Sequence, residues 1–246
     1  MHQFKLTFLA FFGSICTLLA QSEELTIAVA ANLQPPMRQI EARYEKDFQS
    51  DITLIVASSG KLTAQIVNGA PYDIFISADM KYPEKIFDEG LAQQPPKVLI
   101  NGKLYFWTKA QKVASIEEGL AQASSIAVAQ PELAPYGYQT KQWMEKTGNW
   151  VKWQDKIVYG ENVSQVNQYI ATATVDAAFT SNSAMHTDPL KGKGSWLEVP
   201  DTEALPQGLV LLRNAEASEQ AVNQFLEFII SPVAQQIFQN FGYEIP

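Results

Sequence analysis
The feature that most constrains this chain is a regular alternation of short apolar runs with longer stretches of helical periodicity. Residues 25–31 (LTIAVAA) read as a strand, and a helix carrying Leu33, Met37, Ile40, Tyr44 and Phe48 on one stripe follows. Ile52–Ala57 (ITLIVA) is the next strand; a helix through Leu62 and Ile66 then stops at Asn68-Gly69, and 73–77 (DIFIS) is a third strand. Strand–helix–strand order implies a parallel sheet with helices on both faces, because parallel neighbours need a covering crossover. A second series begins at 103–108 (KLYFWT), with strands at 125–129, 156–160 and 176–180. Its helices run from Gly137 to Lys146 and through Val163, Val166, Ile170 and Ala173. A strand at 209–213 and two helices broken at Ser231-Pro232 complete the pattern. The expected fold class is α/β in two lobes, with 23–103 plus 207–246 forming lobe 1, 104–206 forming lobe 2, and a cleft between them; one larger domain is the alternative.

The opening residues carry a separate message. Lys5 precedes an apolar run, 6–20 (LTFLAFFGSICTLLA), followed by polar Gln21-Ser22-Glu23-Glu24. A basic start, an apolar stretch short for a bilayer span and small residues near Ala20 and Ser22 describe a secretory signal peptide at 1–22. Ile15 before Cys16 argues against a lipidation signal. Cleavage would remove Cys16 and His2, leaving a cysteine-free product suited to an oxidising compartment. No later apolar run is long enough to span a bilayer, so no membrane insertion is expected after cleavage. The net charge of −8 offers no basic face for nucleic acid or an anionic membrane. One cysteine and two histidines leave little material for a zinc site or a histidine-based triad.

In open α/β sheets, ligands bind beyond the carboxyl ends of strands. Four strand-to-helix junctions share small residues with a side-chain donor or cap: Ala30-Ala31-Asn32, Ala57-Ser58-Ser59-Gly60, Ala134-Pro135-Tyr136-Gly137 and Glu161-Asn162-Val163-Ser164. Gly60 and Gly137 are expected to let the backbone approach a ligand closely. Helix N-termini present free N–H groups and a positive dipole end, so several converging together could hold a small dianion without Lys or Arg. Singly, Asn32, Ser59 and Asn162 are ordinary helix-capping residue types.

The stretch 57–79 (ASSGKLTAQIVNGAPYDIFISAD) resembles the signature of periplasmic molybdate-binding proteins, substrate-binding components of ABC importers. Further similarities are AVAANL (28–33), APYG (134–137), ENV (161–163) and SPVAQQIFQNFGYEIP (231–246), in family order. The resemblance implies a type II periplasmic binding fold, each lobe a mainly parallel sheet flanked by helices, closing on an oxyanion. Carried over position by position, the contacts would be Asn32 (side chain or backbone), Ser59 (hydroxyl and N–H), and the N–H groups of Tyr136 and Val163. Ala31 would make a backbone contact. These would be contacts to oxyanion oxygens rather than metal ligands. One family branch has serine, alanine and tyrosine where this chain has Asn32, Tyr136 and Thr180. Another matches Asn32 and Tyr136 but often carries a hydroxyl at the Ala31 position. Thr180 is retained as a further candidate.

The resemblance thus implies a monomeric periplasmic receptor for molybdate or tungstate that delivers its ligand to a membrane permease, with no cofactor and no catalytic residue. A donor-only pocket suits a fully deprotonated tetrahedral dianion, because protonated phosphate would need an acceptor. Two alternatives stand beside it: a serine hydrolase with Ser59 as nucleophile and Lys61 as base, and a sensory oxyanion-binding protein. The hydrolase lacks a histidine near Ser59. Ser59-Gly60-Lys61 fails the phosphate-loop pattern at Ile55 and Leu62. Asp73 and Asp79 read as turn and helix caps, His186 as a surface residue, and Asn162-Val163-Ser164 as a fortuitous glycosylation pattern. Tyr136 and Tyr138 as ferric-ion ligands would need phenolates.

Overall fold
The computed structural model describes residues 24–246, so the expected signal peptide, with Cys16 and His2, lies outside the described residues. The chain runs β1 (Leu25–Ala30), α1 (Gln34–Phe48), β2 (Ile52–Ala57), α2 (Ser59–Val67), β3 (Ile74–Ile76), α3 (Lys81–Asp88) and β4 (Lys97–Gly102). It continues with β5 (Leu104–Thr108), α4 (Ile116–Gln122), β6 (Ile126–Ala129), α5 (Pro135–Lys146), α6 (Asn149–Trp153), β7 (Ile157–Gly160), α7 (Val163–Ala171), β8 (Ala177–Ser181) and β9 (Ser195–Glu198). Finally come β10 (Leu205–Leu211), α8 (Glu219–Ile229) and α9 (Pro232–Asn240).

Two five-stranded sheets result, in the orders β2-β1-β3-β10-β4 and β7-β6-β8-β5-β9. In the first, β1 pairs in parallel with β2 and β3, while β10 runs antiparallel to both β3 and β4. In the second, β6 pairs in parallel with β7 and β8, while β5 is the reversed strand between β8 and β9. The chain crosses between sheets at Lys103 and again along 199–204.

Strand alternation explains how the first sheet is covered on both faces. Leu25, Ile27 and Val29 of β1 pack with α1, α8 and α9, whereas Ala28 faces the cluster of Leu62, Phe75 and Ile86. Leu33, just before α1, and Met37, Ile40 and Tyr44 on it are fully buried, at roughly 1.5–3 kcal/mol for each large apolar side chain. Phe48 on the same stripe stays 39% exposed, though its ring rests against Tyr44 and Phe228. Pro at the first turn opens α1, where the missing N–H costs nothing.

Asp73 does more than order its own turn. Its buried carboxylate accepts from the N–H groups of Thr26 (2.7 Å), Glu216 (2.8 Å) and Ala217 (3.0 Å), tying the start of β1 to the segment before α8. Asp73→Ala leaves three donors unpaired and is expected to lower stability by about 3 kcal/mol, measured by urea unfolding.

Some boundaries differ from the sequence expectation. The last strand is Leu205–Leu211 rather than 209–213, because pairing with β4 draws polar Gln207 and Gly208 into the ladder. Helix α5 starts at Pro135, which suits a first-turn position, and α7 stops before Ala173, whose φ of +55° lies outside helical space.

Candidate functional site
The carboxyl ends of β1 and β2 face those of β6 and β7 across the cleft. Ala31, Asn32, Ser59, Tyr136 and Val163 line one hollow there, together with Ser58. Among the described residues no charged side chain lines it, and its free volume of about 10 Å³ is roughly one water's worth. A larger groove of about 390 Å³ between β4 and α8 lies on the outer side of lobe 1, remote from these strand ends.

The lobes touch around the hollow. Gly60 N–H donates to Leu133 C=O (2.9 Å), Tyr82 OH to Glu132 C=O (3.1 Å), and Ser164 Oγ to Ala31 C=O (3.1 Å). Lys61 pairs with Glu161 across the mouth at 2.6 Å, both about half exposed, so this pair is worth at most about 1 kcal/mol. The two glycines play a different part from the one expected. A Cβ on Gly60 would stand 3.0 Å from the Leu133 backbone of the opposite lobe, and one on Gly137 only 2.0 Å from the Ala129 carbonyl. Neither lines the hollow; each permits protein backbone, rather than ligand, to come close.

Three helices aim first turns inward. Ser59 and Val163 are the first residues of α2 and α7, and Tyr136 is the second of α5, so their N–H groups have no acceptor four residues back. Ser59 Oγ accepts from Ala78 N–H at 3.0 Å, which leaves its own proton to donate. Of the three residues expected as caps, only Asn162 acts as one, accepting from Gln165 N–H at 3.1 Å. Asn32 lies in a short 3-10 turn, Ala31–Leu33, and Ser59 sits one position inside its helix.

Behind the hollow lies a buried polar network. Asn32 Nδ2 donates to Gln207 Oε1 (2.9 Å) and to Tyr243 OH (3.0 Å), while Tyr243 OH donates to Asn32 C=O (2.9 Å). Gln207 Nε2 donates to Tyr136 OH (3.0 Å), which in turn donates to Asn182 Oδ1 (3.4 Å). The side-chain donors of Asn32 and Tyr136 are therefore spent on this wall. Burial pushes both phenols, Tyr136 and Tyr243, well above the usual tyrosine range, so they stay neutral. That is the opposite of what a phenolate iron site requires. Gly102 completes the wall, since a Cβ there would fall 2.2 Å from Tyr136 OH.

Other candidates lie elsewhere. Thr180 is buried but its hydroxyl donates to Asn167 Oδ1 (2.7 Å), outside the lining. Asp79 accepts from Ser77 OH and Tyr82 N–H, with burial raising its carboxyl above the ordinary range. His186 is exposed at the end of the turn Asn182–His186. Among the described residues, no three His, Cys, Asp or Glu side chains gather as a metal site. Sequence reasoning named Ser58 only as part of its junction, and missed Gln207 and Tyr243 as neighbours of the site. Tyr243 lay within the C-terminal similarity, and nothing local marked Gln207.

Residues 25–244 match the bacterial extracellular solute-binding protein family. The chain belongs to this family. This solute-binding protein is 30% identical to the molybdate-binding protein ModA of Rhodobacter capsulatus, over 91% of the chain and 89% of that protein. It is 31% identical to the putative ABC transporter substrate-binding lipoprotein YvgL of Bacillus subtilis (strain 168), over 89% and 85%. The periplasmic molybdate-binding protein of Azotobacter vinelandii superposes with a TM-score of 0.83 at 29% identity, covering 90% of this chain and 99% of that one. The fold of this solute-binding protein is thus the one its sequence led us to expect, two lobes of mainly parallel sheet flanked by helices.

Proposed function
We propose that this protein captures molybdate, and also tungstate, in the interlobe hollow and hands it to an ABC import permease. It acts as a monomeric periplasmic receptor without cofactor or catalytic step, and its lobes, 23–103 plus 207–246 and 104–206, close on the ligand. One observation carries the reading: first-turn residues of helices from both lobes, Ser59, Tyr136 and Val163, line a single hollow with no charged side chain among the described residues. The relatives named as molybdate-binding proteins supply the ligand class.

The energetics favour a dianion bound by dipoles. Each helix terminus contributes about 0.3–1 kcal/mol when exposed and up to ~2 when partly buried, and each hydrogen bond to a charged group roughly 1.5–3 kcal/mol. Several acting together offset the desolvation of a small oxyanion; one does not. Neutral groups also avoid the competing attraction that a lysine in the pocket would hold for chloride or carboxylates. Among the described residues no carboxylate lines the hollow, so the proton of hydrogen phosphate meets no charged acceptor there.

The hydrolase alternative finds no support in the site. Ser59 Oγ is bonded to a backbone amide rather than a base, and Lys61 is held by Glu161.

Ligand-stripped protein titrated with molybdate, tungstate, sulfate and phosphate in one buffer tests the reading. Calorimetric heats should appear with molybdate and tungstate, accompanied by a change in tryptophan fluorescence, and phosphate should give none. Silence of both readouts with molybdate sinks the assignment.

A further inference from the structure
The hollow is lined by two polar side chains outside the proposed ligand set, Asn162, which caps its own helix, and Ser58. Ser58 occupies the N-cap position of α2 with extended backbone (φ −66°, ψ 149°), the geometry in which a serine ordinarily accepts from the second or third N–H of its helix. It makes no such bond. The residue is 2% exposed, it lines the hollow, and its Oγ is buried with no hydrogen-bond partner. Its neighbour Ser59 differs, because that hydroxyl is already anchored to Ala78 N–H.

A buried hydroxyl without a partner is a standing cost, and a protein has an inexpensive remedy in alanine or in a proper cap. The cost disappears if the partner arrives from outside. A serine hydroxyl both donates and accepts, yet the occupant proposed for this hollow is acceptor-only, so the hydroxyl serves as donor. Ala31, on the adjoining junction, has no side-chain donor to offer.

Resting on the oxyanion reading above, we infer that Ser58 Oγ is a further ligand donor, binding an oxyanion oxygen directly and setting affinity beside the hydroxyl of Ser59. The two hydroxyls divide the work. Ser59 is held by lobe 1 and points a fixed proton, whereas Ser58 rotates to whichever oxygen the closed lobes present.

The test compares Ser58→Ala and Ser59→Ala with the unsubstituted protein by calorimetric titration with molybdate, and by thermal unfolding without ligand. Ser58→Ala should bind about ten- to a hundredfold more weakly, the range for one hydrogen bond to a charged group. Its ligand-free melting temperature should be unchanged or higher, because an unpaired buried group is removed. A structural cap behaves oppositely: Ser58→Ala would then lower the ligand-free melting temperature, and that outcome overturns the proposal. Unchanged affinity in Ser58→Ala alongside weakened binding in Ser59→Ala removes Ser58 from the site while leaving the oxyanion reading intact. Failure of the unsubstituted protein to bind molybdate removes both.

Discussion

Gly137→Ala is expected to weaken molybdate binding by about a hundredfold and to lower stability by about 2 kcal/mol. Propensity alone argues the other way, since alanine favours a helix interior over glycine by about 1 kcal/mol. The geometry decides against it. A Cβ at this position would stand 2.0 Å from the Ala129 carbonyl oxygen and 2.7 Å from its carbon, both backbone atoms of β6. Neither is the loose end of a side chain, so the first turn of α5 must lift away from the strand. Tyr136 N–H rides on that turn, next to the substituted residue, and leaves its place at the hollow. Calorimetry with molybdate and urea unfolding read the two effects separately. A variant of normal affinity would show that α5 does not present a donor to the ligand.

Gly60→Val should produce the complementary phenotype: affinity lowered a hundredfold or more, with ligand-free stability within about 0.5 kcal/mol of the parent. The obstacle here belongs to the opposite lobe. The Leu133 Cα and carbonyl oxygen both lie 3.0 Å from where a Cβ would be, and the branched side chain adds two more carbons. The same substitution removes the room for the Gly60 N–H bond to Leu133 C=O. Nothing within lobe 1 need move except the end of Tyr82, whose hydroxyl is 2.8 Å from the same Cβ position. Small-angle scattering with and without molybdate would then show one shape rather than two. Wild-type affinity in this variant would refute the idea that full closure holds the ligand.

The parallel cores were legible because β1, β2 and β6 are nearly continuous apolar runs, a pattern that only a strand covered on both faces needs. Edge strand β9 escaped, since its half-exposed and exposed residues follow no apolar pattern, and β4 escaped because its apolar run is only Val98-Leu99-Ile100. The four junctions could be found because strand ends and helix starts leave local marks in composition. The wall behind them could not. Gln207 meets Asn32 across 175 positions, and Tyr243 meets it across 211, so no window of sequence contains the pair. For the same reason the choice between side chain and backbone at Asn32 stayed open until the network showed the side-chain amide already bonded. Ser58 was passed over because its neighbour Ser59 was read as the cap, and the absence of a capping bond is what sets Ser58 apart.

The insertion of β10 between β3 and β4 carries a lesson for biogenesis. As synthesis proceeds, β3 and β4 have nothing to zip them together until everything through β9 has been made. The second sheet, drawn from one uninterrupted stretch, can consolidate first, while the early half of its companion waits with an open, apolar flank. Such a chain is slow to commit and exposed to aggregation in the interval, a state that chaperones recognise.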